Sequence, residues 1–237
     1  MPEDEVKDKS RRTFLKAMIV LSAGAAVASV LKGGITNLVA PSVGLSSFPS
    51  LLIVDSSGKP LIADDIPTST DTPFLFNYPL QDDPNFLLNL NKPISAPTVS
   101  IPATGTSYTA PAGVGPNSNI VAFSAICQHL GCKPPEIHYY TPGSAVLGTS
   151  FNGSTNPGYI HCSCHGSTYD PSKGAAVITG PTIHPLPPVE LVYNNDKTLT
   201  AVGMTKGSPT IYGRVSDLSG GNPLSGTTTQ ATYLSPG

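Results

Sequence analysis

The stretch HCSCHGSTYD, residues 161–170, sets two cysteines and two histidines within five positions. The chain has four cysteines in all, and the other two stand in CQHLGC, residues 127–132. Each box offers one cysteine and one histidine at ligand-like spacing, Cys127 with His129 and Cys162 with His165. Each also has a spare cysteine, Cys132 and Cys164. Two Cys and two His would complete the tetrahedron of a structural zinc site. Oxidation to disulfides is a second chemistry, suited to an exported chain. A thiolate beside a base, the arrangement of a cysteine nucleophile, is a third, and an even cysteine count in an exported chain sits poorly with it. Residue types and spacing leave these open.

The boxes C-x-H-x-G-C and C-x-C-H-G-S resemble those of Rieske iron–sulfur proteins. That resemblance implies one 2Fe–2S cluster, with Cys127 and Cys162 on one iron and His129 and His165 on the other. It also implies a disulfide between Cys132 and Cys164. Rieske oxygenases and their ferredoxins generally lack that cystine, so the chain is similar to the high-potential, cytochrome bc-type branch. By the same resemblance, Ser167 donates a hydrogen bond to a bridging sulfide and Tyr169 to a cysteine ligand. Gly180-Pro181-Thr182 resembles the family's proline loop, and Leu130 forms an apolar rim suited to a quinone ring. Gly131 and Gly166 let the backbone turn tightly beside the metal. Gln128 stands where threonine is common, a change expected to matter little.

Formal charge gives the chemistry. Replacing two thiolates by neutral imidazoles removes two negative charges from the oxidised centre, so an added electron costs less. This is the direction of the Rieske upshift, to roughly −150 to +300 mV. The outward imidazole nitrogens also couple electron uptake to proton uptake at His129 and His165. Hydroxyl donors to sulfur raise the potential further.

The elements that must position these ligands read as strands. From Leu51 onward, short apolar runs alternate with turn residues, the pattern of an all-β domain. LLIVDSSGKPLIADDI reads as strand, turn, strand with Ser57-Gly58 at the bend, and FLFNYPL, NFLLNLN and IVAFSAI as further strands. VELVYNNDKTLTAV is the clearest hairpin, turning at Asn194 to Lys197. With the resemblance, the expected fold is an antiparallel β-sandwich head, residues 51–206, with a small cluster-binding subdomain at about 120–188. The interval Lys133–His161 is longer than in typical relatives, an insertion expected near the cluster that would reshape a docking surface. His138, His161 and His184 match no ligand position and read as surface or packing histidines.

Ahead of the head, residues 1–16 carry Arg11-Arg12 before an apolar run, resembling a twin-arginine export signal. Residues 17–39 are long enough for a membrane helix, with Arg11, Arg12 and Lys16 on the cytoplasmic side. Residues 40–50 read as a tether of roughly 36 Å at full extension. Residues 207–237, rich in Ser, Thr, Gly and Pro, read as a tail that wraps the head in extended form or stays disordered. Only 12% of residues are charged, net −2, with no basic stripe, so nucleic acid is not an expected partner. Such a surface tolerates acid, and the whole pattern suggests a divergent prokaryotic, archaeal member.

The expected function is electron transfer from quinol to a cytochrome or copper protein, beside cytochrome b-type subunits. The head would be anchored on the extracytoplasmic face of the cell membrane. The alternatives are the Rieske small subunit of an exported molybdenum oxidoreductase, such as arsenite oxidase, and a non-redox exported domain holding structural zinc.

Overall fold

NFLLNL and IVAFS are apolar at consecutive rather than alternate positions, the mark of strands covered on both faces. A computed structural model of the protein, described for residues 48–205 and 222–234, shows the reason. The twin-arginine segment, the expected membrane helix and most of the tether lie outside the described residues. In chain order the strands are β1 (Leu51–Val54), β2 (Phe74–Asn77), β3 (Pro84–Asn89), β4 (Thr98–Ile101), β5 (Thr106–Thr109), β6 (Ile120–Ser124) and β7 (Ile137–Tyr140). They continue with β8 (Tyr159–Cys162), β9 (Ser167–Asp170), β10 (Ala176–Thr179), β11 (Pro188–Tyr193), β12 (Leu199–Met204) and β13 (Thr228–Tyr233). Among the described residues, helical structure is confined to the 3-10 turns Ala63–Asp65 and Pro171–Lys173. No helix among them is long and apolar enough to cross a membrane.

The all-β class holds, and its larger sheet closes on itself. A barrel runs β1-β12-β11-β6-β3-β2-β13, with β13 returning to β1 as a parallel neighbour. A four-stranded antiparallel sheet, β10-β9-β8-β7, and the hairpin β4-β5 make up the rest. Strands β3 and β6 belong to both halves of the architecture. Leu87, Ile120 and Ala122 face the barrel interior with Leu51, Ile53 and Phe76. Phe86, Leu88, Val121 and Phe123 face outward onto Ile137, Tyr139, Ile160 and Tyr169 of the second sheet. Phe86 and Phe123 stand opposite each other across the ladder. Truncating either to alanine would cost about 3–5 kcal/mol, because each fills a closed site.

Three features differ from or refine the sequence reading. After the Ser57-Gly58 bend the chain forms only isolated bridges, Val54 with Pro60 and Ile62 with Thr198, not a second strand. Asp55 draws the bend tight by accepting from the Ser57 amide and hydroxyl and the Lys59 amide. Pro60, lacking an N–H, cannot extend the ladder. Second, β13 comes from the segment read as a tail. Its Thr229 and Ala231 alternate inward, and it completes the barrel. Third, the loop part of the insertion starts from the far end of the β7–β8 hairpin. Ile137 pairs with Cys162 and Tyr140 with Tyr159, so residues 141–158 leave the hairpin at the end away from Cys162. Three residues of strand separate them, roughly 10 Å. Buried Asn156 holds that loop, donating to the Thr141 and Ser144 carbonyls and accepting from the Gly158 amide.

Residues 48–50, the described end of the stretch expected to be a tether, are held against the head. The Phe48 ring stacks on Tyr78, whose hydroxyl donates to the Pro49 carbonyl at 2.9 Å.

Candidate metal centre

Both boxes are loops pinned to strands. The first follows β6, where the Cys127 amide donates to the Cys132 carbonyl and the Gly131 amide to the Cys127 carbonyl, each at 2.9 Å. The second caps the β8–β9 hairpin, where Cys162 pairs with Ser167 and the Gly166 amide donates to the Cys162 carbonyl at 2.9 Å. Gly131 and Gly166 both have positive φ, +87° and +92°, a backbone state that strongly favours glycine. The disulfide Cys132–Cys164 ties the two loops together, as the resemblance implied. The third side is the Gly180–Thr182 turn, where the Thr182 amide donates to Ser167 Oγ at 3.1 Å.

This frame gathers the four expected ligands. Cys127 and Cys162 are free thiols, each 1% exposed. The His129 and His165 rings meet edge to face, centroids 4.8 Å apart. His129 is half-buried and His165 exposed, so the sulfur pair lies inside and the imidazole pair outside. His165 also neighbours Cys132 and Cys164, but those sulfurs are joined to each other and are not available to a metal.

Both expected hydroxyls are buried, and that of Tyr169 lies against a cysteine sulfur. Tyr169, fully buried, accepts from the Gln128 amide at 3.1 Å, which leaves its own proton for Cys127 Sγ at 3.3 Å. Ser167 is also fully buried, and its oxygen already accepts from Thr182. Hydrogen bonding from Cys162 lowers the Cys127 thiol to about 6 against a smaller burial penalty, with help from Tyr169, the His129 amide and Ser167. Cys162, which supplies that proton, is pushed up. Beyond Cys162, the donors Tyr169, the His129 amide and Ser167 favour negative charge on the Cys127 sulfur.

These features fit an iron–sulfur group. The donor set is two thiols and two imidazoles, and His129 Nδ1 is buried with no hydrogen-bond partner. An orphaned buried nitrogen on the same loop as Cys127 is what a metal would satisfy.

Of the remaining histidines, His161 is buried with Nδ1 2.8 Å from Thr168 Oγ1. His138 packs edge-on against Tyr140, and His184 is half-buried. His161 and His138 thus have packing or hydrogen-bond partners, in keeping with the expectation of packing histidines. Two contributors escaped the sequence reading. The Thr182 amide supports Ser167, and Ile183, 50% exposed, joins Leu130, 54% exposed, among the exposed apolar residues of the box and proline loops. A single isoleucine in a loop carries no periodic signal that would have marked it.

A profile of the Rieske [2Fe-2S] domain matches residues 104–190. The chain is 34% identical over 87 residues to the cytochrome bc1 complex Rieske iron-sulfur subunit of Streptomyces lividans, 37% of this chain and 42% of that protein. It thus spans less than half of that relative's length. It is 25% identical over 193 residues to the cytochrome b6-f complex iron-sulfur subunit of Synechococcus sp. (strain JA-3-3Ab), covering 81% of this chain and 87% of that one. Among solved structures it is similar to the soluble domain of the Rieske protein II (soxF) from Sulfolobus acidocaldarius. That match has 29% identity, 72% and 87% coverage and a TM-score of 0.45. With the family match lying across both boxes, residues 104–190 are a Rieske domain, an electron carrier that binds one 2Fe–2S cluster.

Proposed function

We propose that Cys127, His129, Cys162 and His165 hold the cluster, and that the domain is the extracytoplasmic head of a membrane quinol-oxidising respiratory complex. The feature that carries this reading is the edge-to-face His129–His165 pair on the outer side of the site, with exposed Leu130 next in sequence to His129. An outward imidazole nitrogen accepts the quinol hydrogen bond and then its proton, while Leu130 and Ile183 pack against the ring. The bound cluster supplies a one-electron acceptor. The head then passes the electron to a cytochrome or a copper protein, and cytochrome b-type subunits are its neighbours. Relatives named as subunits of bc1 and b6-f complexes support this reading.

The membrane attachment belongs to the same proposal: a twin-arginine signal, an uncleaved helix at 17–39 and a tether that ends where Phe48 docks on Tyr78. The test is to isolate membranes holding the full chain, add a quinol, and follow the EPR signal of the reduced cluster. Quinol should reduce it, and Leu130→Ser should slow that reduction while leaving dithionite reduction unchanged. Reduction by dithionite but never by quinol, in membranes that retain the protein, would overturn the proposal.

A further inference from the structure

The β9–β10 ladder contains a defect with a use. Val177 stands opposite Tyr169, so regular pairing would set Ile178 opposite Thr168, yet the register shifts and Thr179 takes that place. Such a bulge re-aims a side chain. Here it brings the Thr179 hydroxyl 3.1 Å from the Gly166 carbonyl and 2.9 Å from Thr168 Oγ1. Thr168 lies 3.4 Å from the same carbonyl but only 2.8 Å from His161 Nδ1, so Thr179 is the nearer donor to Gly166.

Gly166 is thereby gripped on both sides. Its amide donates to the Cys162 carbonyl, its carbonyl accepts from Thr179, and its φ of +92° sits between them. The next residue is Ser167, buried beside Cys162 in the ladder, whose oxygen is held by the Thr182 amide. How the Gly166–Ser167 peptide is oriented sets where the Ser167 Cα–Cβ bond points, and so where its Oγ is carried.

We infer that Thr179, placed by the bulge, is a positioning residue that fixes Gly166 and so aims the Ser167 hydroxyl at the sulfur side of the site. The inference rests on the reading that Ser167 donates to the cluster or its cysteine ligand. Thr179 itself touches no ligand; it acts through the peptide that carries Ser167.

The test compares the holoprotein with Thr179→Val, Thr179→Ser, Ser167→Ala and the double variant Thr179→Val/Ser167→Ala. Midpoint potential and the EPR line shape of the reduced state are measured, together with the melting temperature of the metal-free chain. Thr179→Val should lower the potential by less than Ser167→Ala does, and Thr179→Ser should restore it. The double variant should fall no further than Ser167→Ala alone. If Thr179→Val does not load the cluster, Thr179→Ala takes its place. A normal potential in the Thr179 variant beside a lowered one in Ser167→Ala would overturn the positioning role, as would additive shifts in the double variant. An unchanged potential in Ser167→Ala itself would instead overturn the underlying reading of Ser167.

Discussion

Replacing Tyr169 by phenylalanine removes one oxygen and little else, because the ring stays packed against Phe86, Phe123 and Ile160. Two interactions go with it: the 3.3 Å contact to Cys127 Sγ and the 3.1 Å acceptor for the Gln128 amide. A hydrogen bond to a charged group contributes about 1.5–3 kcal/mol. Reduction adds one charge spread over the irons, sulfides and ligands, so only part of that figure distinguishes the two oxidation states. Taking about 1 kcal/mol for the difference, and about 59 mV per 1.4 kcal/mol for a one-electron couple, the potential should fall by about 40 mV. The buried Gln128 amide loses its acceptor too, at a cost of about 1–3 kcal/mol in stability. A redox titration followed by EPR reads the first effect and thermal denaturation the second. A potential that is unchanged or higher, with the cluster loaded, would refute the claim that the Tyr169 hydroxyl stabilises charge on the cysteine sulfur.

Loss of a ligand is harsher: His129→Ala or Cys162→Ala should abolish cluster binding, seen as loss of iron and of visible absorbance. Cys132→Ser removes a crosslink between residues 32 apart, not a ligand. It should lower stability by about 2–4 kcal/mol and reduce the yield of loaded protein without eliminating it. Glu190, buried on β11 and accepting from the Thr205 hydroxyl, has its carboxyl pushed up by desolvation. The folded state therefore holds that proton at higher pH than the unfolded chain, whose value is near 4.5, and stability falls as pH rises through this window. Glu190→Gln should raise the melting temperature at pH 7, and the gain should vanish below pH 4.5. A gain that persists at low pH would contradict this.

The centre was legible because its chemistry is local. Cys127 and His129 are two apart and Cys162 and His165 three apart, so each ligand pair and its turn glycine lie within one loop. Strands β3, β6, β11 and β12 announced themselves through apolar runs and a turn between Asn194 and Lys197. What the sequence did not reveal depends on partners distant along the chain. Residues 228–233 become a strand only because β1 and β2 present open edges to them, and their threonines carry no apolar signal. The failed strand after Gly58 turned on one carboxylate and one proline. The direction of the 141–158 loop follows from the Ile137–Cys162 register, and the use of Thr179 from a one-residue bulge. Register between distant segments is a tertiary property, so neither could be read in advance.

The central claim is that two sulfurs and two imidazole nitrogens share a pair of irons. Iron, acid-labile sulfide and zinc should be counted in the purified full-length protein, and the reduced form examined by pulsed EPR for nitrogen couplings. The account predicts two irons and two sulfides per chain, no zinc, and couplings from two histidine nitrogens in the reduced protein. Zinc in place of iron, or a cluster whose spectrum carries no histidine nitrogen, would contradict it.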